Sequence, residues 1–511
     1  MAEMIKLFVN GSEVEVEAGK NLIDAIGAIG IEIPHLCYHP ALGADGNCRM
    51  CLVGLEEGGP PLVPACKTQA APGMKVLLNA EHIKKIQHDV LEFQLINHPI
   101  DCPVCDQAGE CSLQDYYMEY DGQKSRMSEA PVSKSKKLDF GCGVIHDQER
   151  CVLCGRCVRF CRQITKTGEL GIVNRTDDAR VTIFPGRPLD NRYAVNVVDL
   201  CPVGAMTSAD FRFKQRVWFL KKARGICHGC SKGCNITIDH NREKDQDDLI
   251  YRFRPLLNEE INGYFICDEG RLSYKQENEN RLTEARRGKT AISLDDAVTT
   301  ALKEMAKAEK IVLLISPDSS LEQMAAVKSL AEATGAFLSG FSDGYIKKGD
   351  GDDYLIQDDK AANRAGLALL AIDSSRENFA TALEDAQMLI NFNSNLSLSY
   401  DSAELEKLIK DKYIIAVTSH DSDFCKMANL AIPAASFTEY RGMIISCDNI
   451  LQSFDKAIDK NSPPVEISEI AALLGGSLKN SEDQYNALKE VIVSTESFNP
   501  DTIPTAGLKL N

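Results

Sequence analysis

The sequence predicts a multidomain protein of mixed class, small α+β modules followed by a larger α/β domain, and three observations carry that expectation. At 511 residues the chain is long enough for about three or four cores at roughly 150 residues each. Seventeen of its nineteen cysteines fall between Cys37 and Cys267, so the first half is organised around sulfur. From about residue 288 helical periodicity alternates with short apolar runs, the pattern of strands joined by helical crossovers in a mainly parallel sheet.

Apolar residues at 44% and charged residues at 26% are ordinary for a folded globular chain. Fifty-seven basic against 74 acidic side chains leave a formal charge of −17. That is the wrong sign for neutralising phosphates, so no nucleic-acid partner is expected. No apolar run approaches the roughly 18 residues of a bilayer span. The best, Ile311 to Ile315 and Leu367 to Ile372, have the length of buried strands, and no direct membrane insertion is expected. The segment Met1 to Asn10 carries a single Lys and passes directly into alternating apolar residues, unlike an export signal. A reducing compartment is therefore the expectation, where clustered cysteines hold metal or do redox chemistry rather than pair as disulfides.

The first module begins with alternation from Ile5 to Val9, an Asn10-Gly11 pair suited to a type I′ hairpin turn, renewed alternation from Val14 to Val16, and an amphipathic helix over Lys20 to Ile29. Hairpin, helix and then a cysteine loop predict a β-grasp ferredoxin-like arrangement. The loop holds Cys37, Cys48, Cys51 and Cys66, with gaps of ten, two and fourteen, a variant of the plant-type spacing in which four thiolates hold a [2Fe–2S] centre. Glycines 43 and 46 permit the tight backbone this requires. A zinc knuckle on Cys48 and Cys51 is the plain alternative, but zinc favours two close pairs.

The second set is His98, Cys102, Cys105 and Cys111, with gaps of three, two and five. Three cysteines within ten residues leave one coordination position empty, and His98 stands one helical turn before the first of them. A [4Fe–4S] centre with one imidazole ligand is expected, with a potential raised by replacing an anionic ligand with a neutral one. His88 lacks this spacing and is read as structural.

The third set opens with the compact Cys151, Cys154 and Cys157. In two-cluster ferredoxins the next nearby Cys serves the other cluster, so Cys201, followed by Pro202, is chosen as the fourth ligand of a second [4Fe–4S] centre. Cys161 is left as a small buried hydrophobe. The fourth set, Cys227, Cys230, Cys234 and Cys267, has gaps of two, three and thirty-two and predicts a third [4Fe–4S] centre, with structural zinc as its rival. Cys142, Cys425 and Cys447 have no such neighbours and are read as inert. One [2Fe–2S] and three [4Fe–4S] clusters in one chain read as a wire, and the chain lacks GxGxxG, phosphate-loop and HExxH motifs for chemistry at either end.

The second half is expected to run helix Leu294 to Ala308, strand Ile311 to Ile315, helix Leu321 to Thr334, strand Leu367 to Ile372, helix Glu377 to Asp385, strand Met388 to Phe392, helix Ala403 to Lys410 and strand Tyr413 to Val417. This is a doubly wound α/β domain. Gly349 to Asp353 is read as an acidic surface loop, since it lacks EF-hand spacing. Val465 onward is read as a helix, with a loose polar tail from Ser477 to Asn511. Domain breaks are expected at 1–80, 81–120, 121–219, 220–276 and 277–511.

From Met4 to about Arg271 the order of the four sets resembles the large iron–sulfur subunit of NADH-quinone oxidoreductase, the bacterial form of respiratory complex I. The stretches His98-Pro99-Ile100-Asp101-Cys102-Pro103, Arg150-Cys151 through Phe160, and Asp199-Leu200-Cys201-Pro202-Val203-Gly204-Ala205-Met206-Thr207-Ser208 carry the resemblance. It implies electrons arriving from a flavin-bearing NADH subunit, passing the first three clusters and leaving toward the iron–sulfur subunits of the quinone module, with the fourth cluster off this route. It also implies a peripheral place on the cytoplasmic face of the bacterial inner membrane. The segment Ala428 to Gln452 resembles molybdopterin oxidoreductases. Asp268 to Phe424 holds no cysteine, and Asp268-Glu269-Gly270 stands where formate dehydrogenases of that fold place a Lys. The second half is therefore read as a degenerate, shortened molybdopterin-oxidoreductase-like domain without molybdenum. A molybdenum-dependent formate dehydrogenase subunit and the electron-input subunit of a multimeric hydrogenase are the alternative readings.

Overall fold

The computed structural model describes residues 3–56, 62–121, 126–241, 250–458, 465–476, 488 and 503–510. The chain divides into two compact units, Met1–Phe219 and Leu220–Asn511.

In the first unit, strands Met4–Val9 and Ser12–Glu17 pair antiparallel with Val9 opposite Ser12. The turn between them puts Asn10 at φ 48° and Gly11 at φ 82°, the two left-handed residues a type I′ turn requires. Leu52–Leu55, Leu62–Pro64 and Lys75–Leu77 complete a five-stranded sheet in which Met4–Val9 runs parallel to Lys75–Leu77. The helix covers Leu22–Gly27, shorter than the expected Lys20 to Ile29. Asn21 caps it by accepting from the Asp24 amide, and Leu22, Ile23, Ala25 and Ile26 are buried in the core that holds Leu7, Val9, Val16 and Val53. Helix Glu81–Leu95 leads to the second ligand set. Beyond it lie a three-stranded sheet of Leu138–Gly141, Val144–His146 and Met206–Ser208, and a hairpin of Leu170–Val173 with Arg180–Ile183. Two short helices lie here: Arg156–Gln163, which carries Cys157 of the third set, and Asn196–Leu200, which precedes Cys201.

The second unit opens with an antiparallel sheet of Lys221–Ile226, Asn235–His240 and Ile250–Pro255. A seven-stranded sheet follows, in the order Thr290–Ile292, Ala285–Arg287, Leu430–Pro433, Tyr413–Thr418, Met388–Phe392, Ile311–Ile315, Phe337–Ser339. Five neighbouring strands are parallel and the terminal hairpin is antiparallel. Alternation within Ile311–Ile315 sends Leu313 and Ile315 to one core and Val312 and Leu314 to another. Helices Leu294–Met305, Leu321–Thr334 and Ile467–Leu474 cover the first face; Arg376–Asp385, Ser402–Ile409 and Asp423–Met427 cover the second.

One expected strand is overturned: Leu367 to Ile372 falls in and after helix Arg364–Leu369. The run Ala365-Gly366-Leu367-Ala368-Leu369-Leu370 is Ala- and Leu-rich rather than β-branched, so local preference favours helix. The edge of the sheet is formed by Phe337–Ser339, parallel to Ile311–Ile315. The acidic segment from Gly349 is wired internally: Asp352 accepts from the amides of Tyr354, Leu355 and Ile356, and Asp358 accepts from Gly351. The expected loose tail lies mostly outside the described residues; within it, Leu508–Lys509 pairs as a strand with Ile450–Leu451. Among the described residues no helix is long and apolar enough to cross a membrane.

Candidate metal centres

The sixteen expected ligands fall into four gatherings. In the first, Cys37, Cys48, Cys51 and Cys66 are all buried. The Cys51 and Cys66 sulfurs lie 3.4 Å apart, and the Cys37 amide donates to the Cys48 sulfur at 3.5 Å. Contact with Cys48 and the amides of Gly46 and Asn47 brings the Cys37 thiol down to about 5, while the same contact pushes Cys48 up. Cys51 falls to about 7 on Cys66, whose own thiol rises through that contact, burial and the charges of Cys37 and Cys48. Four sulfurs thus interact in one place. Gly46 sits at φ 83°, and a Cβ there would stand 2.8 Å from the Lys67 side chain.

The second gathering surrounds one cavity lined by His98, Cys102, Cys105 and Cys111 together with Ile100, Tyr117 and Gly204. His98 enters three residues past helix Glu81–Leu95. Burial lowers its imidazole to about 4, so the ring is neutral at pH 7, and its Nδ1 is buried with no hydrogen-bond partner among the described residues. Burial also pushes the Cys111 thiol up to about 11.

The third cavity is lined by Cys151, Cys154, Cys157 and Cys201 with His146, Val203 and Ala205. Leu153 at φ 51° and Gly155 at φ 71° curl the loop. Burial and mutual repulsion push the Cys154 thiol up to about 12 and the Cys157 thiol well above its ordinary value. Cys161 is not among the lining residues; it is fully buried and lies by Glu169, and burial with that carboxylate pushes its thiol up to about 12. His146, absent from the sequence-based set, donates through Nδ1 to the Ala205 carbonyl, 3.0 Å away; no spacing signal marks it.

The third set shares walls with both others. Asn47 of the first loop donates to the Leu153 carbonyl at 3.1 Å, and Arg159 donates to the carbonyls of Leu42, Gly43 and Cys37. On the other side, a Cβ on Gly204 would stand 2.3 Å from the Cys105 sulfur. Cys37, Cys48, Cys111 and Cys154 belong to one apolar core with Leu36, Met50, Leu91 and Leu113.

In the second unit, Cys227, Cys230, Cys234 and Cys267 line one cavity with Gly270 and Lys360. The amides of Gly229 and Gly270 donate to the Cys227 and Cys267 sulfurs at 3.4 and 3.2 Å. A Cβ on Gly270 would stand 2.7 Å from the Cys227 sulfur.

The donor chemistry fits iron–sulfur clusters. Thiols this crowded repel one another as thiolates and resist ionising all together without a cation, and bound metal relieves that repulsion as it displaces the protons. Glycines bring amides close to sulfur where a side chain would not fit, and amide hydrogen bonds to sulfur tune such centres. The fold and these sites define a protein of ferredoxin-type 2Fe–2S and 4Fe–4S binding modules.

Comparison with known proteins gives the kinship of those modules. Residues 2–81 match the 2Fe-2S iron-sulfur cluster binding domain family, 87–126 the NADH-ubiquinone oxidoreductase-G iron-sulfur binding region, and 141–207 the ferredoxin-like domain of NADH-quinone oxidoreductase subunit 3. The chain is 38% identical over 339 residues to the G subunit of the NADH-quinone oxidoreductase of Rickettsia conorii, covering 65% of this chain and 50% of that protein. It is 40% identical over 271 residues to the NADH-ubiquinone oxidoreductase 75 kDa subunit of Reclinomonas americana, covering 53% and 38%. It is 36% identical over 341 residues to the mitochondrial NADH dehydrogenase [ubiquinone] iron-sulfur protein 1 of Solanum tuberosum, covering 65% and 45%. The resemblance to the large iron–sulfur subunit of NADH-quinone oxidoreductase therefore extends over 65% of the chain in two of these relatives. The chain spans about half the length of the curated relatives it matches.

Proposed function

We propose that this chain is an iron–sulfur electron-transfer subunit of an NADH:quinone oxidoreductase, relaying electrons from a flavin-bearing, NADH-binding subunit toward the iron–sulfur subunits of a quinone module. It performs neither NADH nor quinone chemistry itself. The observation that carries this reading is the gathering of residues far apart in sequence, such as Cys201 with Cys151 to Cys157 and Cys267 with Cys227 to Cys234, around common cavities. Cys37, Cys48, Cys51 and Cys66 hold a [2Fe–2S] cluster in module 1–80. His98, Cys102, Cys105 and Cys111 hold a [4Fe–4S] cluster in module 81–120. Cys151, Cys154, Cys157 and Cys201 hold another in module 121–219, and Cys227, Cys230, Cys234 and Cys267 a third in module 220–276. When bound, each cluster takes up and gives back one electron. The protein keeps the sites close enough for transfer through the shared walls of the first unit, excludes water by burial, and sets each site's charge by ligand identity and nearby amides. Module 277–511 is a degenerate molybdopterin-oxidoreductase-like domain that holds no molybdenum and serves as scaffold or docking surface. The complex places the chain peripherally on the cytoplasmic face of a bacterial inner membrane.

Anaerobic iron and sulfide analysis with paramagnetic resonance of the reduced protein tests this. About fourteen irons per chain are expected from one two-iron and three four-iron clusters, with no molybdenum or pterin. A colourless, diamagnetic protein loaded with zinc sinks the reading.

A further inference from the structure

A buried cation ties the second site to the third. Arg150 directly precedes Cys151, yet its side chain, 6% exposed, reaches back across to the second site. Its Nε donates to Asp101 Oδ1 at 3.1 Å and its Nη2 to Asp101 Oδ2 at 2.6 Å, the two-pronged geometry that fixes both distance and orientation. Asp101 stands immediately before Cys102 and three residues after His98, so the fork grips the loop that presents two of the second site's expected ligands. The arginine Cδ and the Cys105 sulfur both line the Gly204 backbone, 3.7 and 2.3 Å from where a Cβ there would be. Asp147 accepts from the Arg150 and Glu149 amides and has its Oδ2 3.6 Å from the Arg150 Nε. Lys136 closes the network, 3.5 Å from Asp101, 3.7 Å from Asp147 and 2.7 Å from Glu149.

We propose that Arg150 is a positioning residue for electron transfer: its guanidinium locks the His98–Cys102 loop against the Cys151 loop and places a buried positive charge beside the second site, raising that site's reduction potential. This rests on the reading that His98, Cys102, Cys105 and Cys111 hold iron. The physical reason is direct. Reduction adds a negative charge at the site, a neighbouring cation favours the reduced form, and little solvent separates the two.

The test is a redox titration of the full chain followed by paramagnetic resonance, in unmodified protein and in Arg150→Met, Arg150→Lys and Asp101→Asn, each with iron and sulfide measured. The second site's signal is the one that changes in His98→Cys. At fixed applied potential, Arg150→Met is expected to lower the reduced-to-oxidised ratio of that site roughly tenfold, a fall of about 59 mV for a one-electron centre. Arg150→Lys restores most of the shift because it keeps the charge, and Asp101→Asn moves the same site upward because it removes an opposing one. A merely structural role changes iron content or stability but does not drive these substitutions in opposite directions. Unchanged second-site potential in fully metallated Arg150→Met overturns the proposal. If Arg150→Met does not retain that cluster, an unmoved or lowered potential in Asp101→Asn overturns it instead. Absence of a four-iron signal at this site in the unmodified protein overturns the iron reading itself, a distinct result.

Discussion

His98 and Cys161 illustrate how far environment outweighs residue type. Histidine is the less common ligand of such clusters and cysteine the usual one, yet His98 shares a cavity with three thiols while Cys161 lies beside a carboxylate. That carboxylate, Glu169, is already held by the Asp190 and Asn191 amides and the Asn191 side chain. Its negative charge opposes thiolate formation at Cys161, the form a metal needs. The buried, unprotonated imidazole of His98, with Nδ1 lacking a protein partner among the described residues, is by contrast ready to give a lone pair. If it is a ligand, His98→Cys exchanges a neutral donor for an anionic one, and the added negative charge disfavours reduction. The variant is expected to keep its four irons and titrate at a lower potential at this one site. Potentials unchanged at every centre dismiss His98 as a ligand.

A short segment does similar work at the scale of an element. Helix Asn196–Leu200 ends at Cys201, and the turn after it serves two sites: Val203, Ala205 and Met206 line the third cavity and Gly204 the second. The Pro202 carbonyl also accepts from the Ser112 amide at 3.0 Å, at the start of the second site's helix Ser112–Tyr116. In Gly204→Ala the new methyl would stand 2.3 Å from the Cys105 sulfur and 3.1 Å from Gln107 Cβ. Ordinary contacts lie near 3.5–4.0 Å, so the Cys105 loop must move by about 1 Å. Iron content is expected to fall by about four atoms per chain, with the second site's signal lost and the first and fourth kept. Full iron with an unaltered second-site signal counts against the shared wall. No sequence periodicity could have revealed it, because Gly204 and Cys105 are remote in the chain and nothing local marks their meeting. The same holds for Arg150 and Asp101, 49 residues apart. What could be read locally was: the Asn10-Gly11 turn, strands Ile311–Ile315 and Met388–Phe392, and helix Leu321–Thr334 follow from turn chemistry, capping and alternation. The run after Arg364 failed for the complementary reason. Apolar length alone does not distinguish a buried strand from a buried helix, and its Ala–Leu composition was the signal to weigh.

Across the whole chain, the two units differ in what holds their cores together. In the first, expected ligands are part of the packing: Cys51 and Cys66 lie in the core beneath the five-stranded sheet, and Cys37, Cys48, Cys111 and Cys154 lie in the core the three sites share. In the second, the seven-stranded sheet is covered on both faces by apolar clusters that contain none of the expected ligands. Removing iron therefore leaves buried, mutually repelling thiols in the middle of the first unit but leaves the large sheet's packing intact, because metal that binds only the folded state stabilises only the structure that forms its site. Anaerobic chelation under reducing conditions is expected to split unfolding into two calorimetric transitions. For a unit of roughly 200 residues each kcal/mol moves the midpoint by about 2–4 °C, so loss of several kcal/mol shifts the first unit's transition by more than about 10 °C, while the sheet's transition stays within about 4 °C. Limited proteolysis of the same sample should cut first before residue 219 and leave a resistant fragment containing the strands from Ala285–Arg287 through Ile450–Phe454. Equal shifts of both transitions, or early cleavage within the seven-stranded sheet, show instead that the metal sites support the fold of the second unit as much as the first.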